Sequence, residues 1–123
     1  MPTLIACLSS GKGTWTEVNK LINSQPWDKI FLITNQFGKE NYSVNNEKTE
    51  LVVIDPYKEI SEIVKVIKSN LNGRIKDFEV ALNLVSGSGN EHMALLEAVL
   101  ELGLNFRLVS VRGNQMEVLG MSR

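Results

Sequence analysis

Two short segments rich in glycine and hydroxyl side chains hold most of the chemistry this sequence can offer. Ser9-Ser10-Gly11-Lys12-Gly13-Thr14 and Ser86-Gly87-Ser88-Gly89-Asn90-Glu91-His92 each follow an apolar run and precede a stretch of helical periodicity. A loop so placed presents unpaired backbone N–H groups at a helix start, where the positive end of the helix dipole favours anions. Glycines let the backbone approach a phosphate closely, and the hydroxyls and the Lys12 ammonium could add donors. Neither nucleotide fingerprint is present in the first loop: the GxxxxGK[ST] spacing of a P-loop is absent, and so is GxGxxG. A tight turn leading into a capped helix, with Lys12 solvated, accounts for the same residues. Taken singly, each loop fits either reading.

Ser88 and Glu91 have the spacing of a capping box, as do Thr14 and Glu17, which would give these residues a structural role. His92 falls in the first turn of the following helix, where exposure is expected. Its imidazole makes it a candidate general acid or base beside Lys12. Thr34-Asn35-Gln36 ends another apolar run and could hydrogen-bond a base or ribose, although the same residues suit any turn. Asp55 could receive a ribose hydroxyl, as the acidic residue after a strand does in dinucleotide folds, while Asp-Pro is also an ordinary stop. Cys7 lies inside an apolar run without a partner to activate it and reads as a small core residue. No Cys/His cluster is spaced for zinc, and neither a metal nor a cofactor is expected.

These segments need elements to hold them. Residues 4–8 form a short uninterrupted apolar run that suits a strand buried on both faces. Helical periodicity then starts near Thr14 and carries Trp15, Val18, Leu21 and Ile22. Residues 29–34 and 50–54 read as the second and third strands, separated by a polar stretch over 35–48 that is long for a plain connection. That stretch suits a short helix or a mobile loop. Ile60, Ile63, Val64, Ile67 and Leu71 mark an amphipathic helix that Asn72-Gly73 ends. Residues 78–85 read as the fourth strand. Met93, Leu95, Leu96, Val99, Leu100 and Leu102 then describe a mostly buried helix closed by Gly103. Residues 106–111 and 115–119 form two strands joined by Arg112-Gly113-Asn114, a link short enough for an antiparallel hairpin.

Strands alternating with helices imply an α/β, Rossmann-like fold: a mostly parallel sheet of about six strands, helices on both faces, and a C-terminal antiparallel edge hairpin. In the usual order 3-2-1-4-5, strands one and four are neighbours, and the crevice at their carboxyl ends is where such sheets bind ligands. The two loops would flank that crevice.

At 123 residues, with 43% hydrophobic and 22% charged side chains, the chain has the size and balance of one globular domain. A net charge of −1 gives no general attraction to polyanions, so long duplex nucleic acid is not an expected partner and any phosphate site must be local. The start, Met1-Pro2-Thr3-Leu4, lacks a basic region followed by an apolar run. No stretch reaches the ~18 apolar residues of a membrane span. With a single cysteine, a reducing cytoplasm is the expected compartment.

The segment Leu82-Asn83-Leu84-Val85-Ser86-Gly87-Ser88-Gly89-Asn90-Glu91-His92-Met93-Ala94-Leu95 resembles the CRISPR-associated Rossmann fold (CARF) family. Members carry a similar apolar strand, a Ser/Thr-Gly-rich turn and a helix starting near a Met. Leu8-Ser9-Ser10-Gly11 is similar to the family's first loop. The resemblance implies a homodimer whose paired loops bind cyclic oligoadenylate across the two-fold axis, in CRISPR-linked antiviral signalling. It places ligand binding on Ser10, Gly11, Ser86, Gly87 and Ser88. Ser9, Gly13, Thr34, Asn35, Gly89 and Asn90 complete the expected binding set. Some members cleave the ring without a metal, using a ribose 2′-hydroxyl as nucleophile. Many relatives have Lys or Arg in the second loop where this chain offers Asn90 and His92, so a ring nuclease here would depend on Lys12 or His92. Family sensors usually carry an effector, for which this chain has no room. It would be a stand-alone enzyme, a binding protein or a detached sensor. Outside the family, the same residues would fit a Rossmann-like nucleotide- or phosphate-binding protein, or an interaction scaffold whose loops are only turns.

Overall fold

β1 (Thr3–Leu8) is buried at every residue in the computed structural model, which describes residues 3–9 and 11–120 apart from the Lys12 side chain. Its burial follows from its place. It pairs in parallel with β2 (Lys29–Thr34) along its whole length on one side and with β4 (Glu79–Asn83) on the other. β3 (Thr49–Val53) extends the sheet beyond β2, and β5 (Asn105–Arg112) pairs in parallel with β4. β6 (Gln115–Val118) closes the edge antiparallel to β5, in the register Val109 to Val118 and Arg112 to Gln115. The order β3-β2-β1-β4-β5-β6 bears out the Rossmann-like expectation, with the reversal falling between β1 and β4.

Side chains alternate across β1 and so divide the core in two. Leu4, Ala6 and Leu8 meet α1 (Trp15–Ile22) through Val18 and Leu21, with Trp27 and the β5 residue Val109 in the same cluster. Ile5 and Cys7 face the other way. They join Ile63, Val64 and Ile67 of α3 (Ile60–Leu71) and Ala94, Leu95 and Ala98 of α4 (Gly89–Glu101). Helices therefore cover both faces. Among the described residues no helix is long and apolar enough to cross a membrane.

The polar stretch after β2 contains a short helix, α2 (Gln36–Asn41). Gly38 makes its docking possible, because a Cβ there would sit 1.8 Å from Thr34 Oγ1. Tyr42 ends the helix and donates from its hydroxyl to Asn19 Oδ1 of α1 over 2.6 Å.

Several expected details differ. β4 ends at Asn83 and not at residue 85, because the Asn83 side chain takes up backbone groups in place of the ladder: its Nδ2 donates to Val109 O and its Oδ1 accepts from Val85 N. Phe78, expected inside that strand, lies ahead of it and is 87% exposed. The buried stripe of α4 runs through Ala94, Leu95, Ala98 and Val99, which leaves Met93 and Leu100 exposed on the opposite side. The capping box expected at Thr14 does not form. A 3-10 turn over Lys12–Thr14 puts Thr14 in helical conformation, and its hydroxyl donates to Gly11 O.

Candidate functional site

The helices that follow β1 and β4 pack on opposite faces of the sheet, so the two connections diverge and leave a crevice between them. An open cleft of about 1150 Å³ occupies this place, lined from the carboxyl ends of four parallel strands. The β1 end contributes Ser9, Gly11 and Thr14, and the β2 end Asn35, Gln36 and Phe37. Residues 53–57 after β3 form a third side, and Val85, Ser86, Gly87, Ser88, Asn90 and Glu91 after β4 form the fourth.

Seven expected binding residues thus meet in one cleft: Ser9, Gly11, Asn35, Ser86, Gly87, Ser88 and Asn90. Gly13, Thr34 and Gly89 are not among the lining residues. Thr34 is fully buried, and its hydroxyl oxygen lacks a hydrogen-bond partner beside the Gly38 backbone. Ser10 and the Lys12 side chain lie outside the described residues.

Ser9 is the hub of the cleft floor. Its N–H donates to Ser86 Oγ over 2.8 Å and its carbonyl accepts the Trp15 indole N–H over 2.6 Å. Its hydroxyl lies 3.3 Å from Glu91 Oε1 and accepts from Asn35 Nδ2 over 3.4 Å. Asn35 in turn caps α2 by accepting from Gly38 N. These bonds join the ends of β1, β2 and β4 into one network, buried at Ser9, Ser86 and Glu91 and half-buried at Asn35. Much of the polarity expected to meet a ligand is thereby spent on holding the site together.

Glu91 is the functional candidate that sequence reading left as a cap. The expected capping box with Ser88 is present: Glu91 Oε1 accepts from Ser88 N over 3.2 Å, and Glu91 N donates to Ser88 Oγ. Yet this carboxylate is only 2% exposed, and its second oxygen, Oε2, has no partner. A half-satisfied buried carboxyl is costly. The turn above it is held open by glycine: Gly87 has φ +102°, and a Cβ there would lie 3.1 Å from Glu91 Oε2 and 3.3 Å from His92 Nε2. The signal in the sequence was the burial of the α4 face that Glu91 shares with Ala94, Leu95 and Ala98, four positions of one helical stripe.

Electrostatically the cleft is an acceptor site. Its described lining includes the carboxylates Asp55 and Glu91 and no lysine or arginine. Because Glu91 already sits at the start of α4, that helix terminus carries its own anion. Cys7 lies beside the floor, fully buried, and desolvation together with the Glu91 charge pushes its thiol far up, which suits a core residue and not a nucleophile. His92 is half-buried and turned back on its own loop, with Nε2 2.7 Å from Ser86 O. That bond explains why it is less exposed than expected, and it does not line the cleft. Among the described residues no three His, Cys, Asp or Glu side chains gather to hold a metal ion.

No protein-family model and no curated protein sequence matches this chain.

Proposed function

We propose that this chain binds a nucleotide in the cleft at the β1–β4 reversal, and that the ligand is a cyclic oligoadenylate shared between two copies. One observation carries the reading: both Ser/Gly loops open on a single cleft and are cross-tied there by the Ser9–Ser86 hydrogen bond. The cleft exceeds the ~300–1,000 Å³ typical of small-molecule sites and stays open to solvent, so a large ring would leave part of itself uncovered. A second copy related by two-fold symmetry would cover it with the same residues, as a symmetric ring requires. The Asp55 carboxylate complements ribose hydroxyls and adenine amino groups, while the Gly11 backbone gives close approach for the sugar-phosphate chain. The cytoplasm is the compartment in which such a messenger would be met.

Binding is better supported than cleavage. Metal-free cleavage needs a group that orients the attacking 2′-hydroxyl or stabilises the developing phosphorane charge. His92 is engaged with Ser86 O instead, which leaves Lys12 as the first residue to test and His92 as the second. A second reading, one mononucleotide per chain, is favoured by the fact that one chain lines the cleft from four strand ends.

Calorimetric titration with cyclic tetra- and hexa-adenylate, followed by chromatography of the incubated ligand, tests the proposal. Binding of at least one ring is expected, and binding of neither overturns it. An intact ring after incubation identifies a receptor. A linear product identifies a ring nuclease, whose rate should then fall in Lys12→Ala or His92→Ala with binding retained.

A further inference from the structure

We infer that the β2–β3 side of the cleft is a subsite for a planar heteroaromatic base, with Phe37 and Tyr57 as its stacking surfaces and Asp55 as the acceptor for a donor on the base or its ribose. The inference rests on the nucleotide reading and goes beyond it by assigning which end of the ligand faces which strands.

Exposed large apolar side chains scattered singly need no explanation, but a group of them around a concavity does. Three aromatic side chains among the described residues are exposed, Phe37, Tyr57 and Phe78, and the first two line this cleft. Pro56 and Val85 add to the same apolar lining. Phe37 is held in place from behind. It is the second residue of α2, whose start is fixed by the Asn35 cap, and its ring leans on Trp15 with centroids 6.0 Å apart. Trp15 is itself buried and pinned by its bond to Ser9 O. Phe37 nevertheless keeps 39% of its surface exposed.

Tyr57 is 96% exposed, although its backbone is fixed. Its N–H donates to Asp55 Oδ1 over 3.0 Å, and Lys58 N donates to Asp55 O, so a tight turn presents the ring beside the cleft. An aromatic ring on a fixed turn, unpacked by its own chain, is suited to stacking on a base, whose π-face it would share whatever the base identity. Asp55 spends Oδ1 on this turn and retains Oδ2. A carboxylate accepts from an amino or hydroxyl group, so beside the two rings Asp55 can receive a donor of the base or its ribose.

The test is calorimetry of the full chain and of Tyr57→Ala, Tyr57→Phe and Phe37→Ala against AMP, ribose 5-phosphate and cyclic tetra-adenylate. AMP should bind at least tenfold more tightly than ribose 5-phosphate. Each alanine variant should lose about 5- to 100-fold in AMP affinity, the worth of one stacked base. Tyr57→Phe should stay within about twofold, since stacking needs only the ring. Tyr57 makes no packing contact that folding requires, so its variant stays informative if Phe37→Ala is destabilised. AMP bound equally by the wild type and Tyr57→Ala, or no more tightly than ribose 5-phosphate, overturns the subsite and leaves the nucleotide reading standing. Failure of the wild type to bind AMP and the ring alike overturns both.

Discussion

The backbone N–H of Ser9 donates to the side-chain oxygen of Ser86 over 2.8 Å, joining the end of β1 to the turn after β4 across 77 positions of sequence. Both residues are buried, Ser9 at 8% and Ser86 at 1% exposure. Removing the hydroxyl leaves a buried N–H without its acceptor, which costs about 1–3 kcal/mol. Ser86→Ala should therefore lower stability by that amount in denaturant unfolding and weaken ligand binding as the two loops lose their tie. Unchanged stability would mean that water replaces the hydroxyl and that the tie is dispensable.

The glycines of the two loops should separate by assay. Gly87 has φ +102° and little room for a Cβ, so Gly87→Ala should cost about 1–2 kcal/mol by thermal or denaturant unfolding. Gly11 and Gly13 have no positive φ, and a Cβ at either would meet nothing within 4 Å. Gly11→Ala and Gly13→Ala should stay within about 0.5 kcal/mol of the wild type. Gly11 lines the cleft and Gly13 does not, so only Gly11→Ala is expected to weaken binding.

The strands and helices were legible because they rest on period and punctuation, while the order of the sheet came from the habit of such folds. Residues 4–8 are apolar without alternation, and a strand with that pattern belongs in the middle of a parallel sheet. The Gly/Ser loops could be placed at adjacent strand ends only through that usual order. Side-chain direction was less accessible. Thr14 and Ser88 have the same spacing to a following Glu, yet only Ser88 forms the capping box, because the turn at Lys12–Thr14 makes Thr14 helical. Nothing local in the sequence reveals that Phe37 and Tyr57 share a site, because α2 and the turn after β3 meet at one cleft only in the fold. The burial of Glu91 was hidden by its suitability as an ordinary cap.

Glu91→Gln tests what the buried anion at the start of α4 does to binding. The amide oxygen can still receive Ser88 N, so stability should remain within about 1 kcal/mol of the wild type. Its NH2 group replaces Oε2 and turns an acceptor into a donor. Because Oε2 is buried and the lost charge is an anion at a helix start, nucleotide affinity measured by calorimetry should rise by about twofold or more. Unchanged affinity would leave Glu91 with the cap alone.

At the opposite end of the sheet, Arg74 Nη2 donates to Glu50 Oε1 over 2.7 Å, and this hydrogen bond and the Arg74 charge hold the Glu50 carboxyl below its ordinary range. A carboxyl with a lowered folded-state pKa stabilises the fold above its unfolded value and loses that contribution as pH falls through the lowered one. The side chains are 40% and 32% exposed, so screening limits the effect to under about 1 kcal/mol. Thermal melts should show Glu50→Gln slightly less stable than the wild type at pH 7, with the difference shrinking as the pH falls through the lowered carboxyl range. A difference that persists in acid would assign the effect to packing and not to charge.

Native mass spectrometry of the chain with cyclic tetra- or hexa-adenylate tests the central claim most directly, because it counts chains and ligands in one species. The account predicts a complex of two chains and one ring, with Tyr57→Ala and Ser86→Ala reducing its abundance. A single chain carrying one ring, or chains that carry none at ligand concentrations well above physiological, would contradict it.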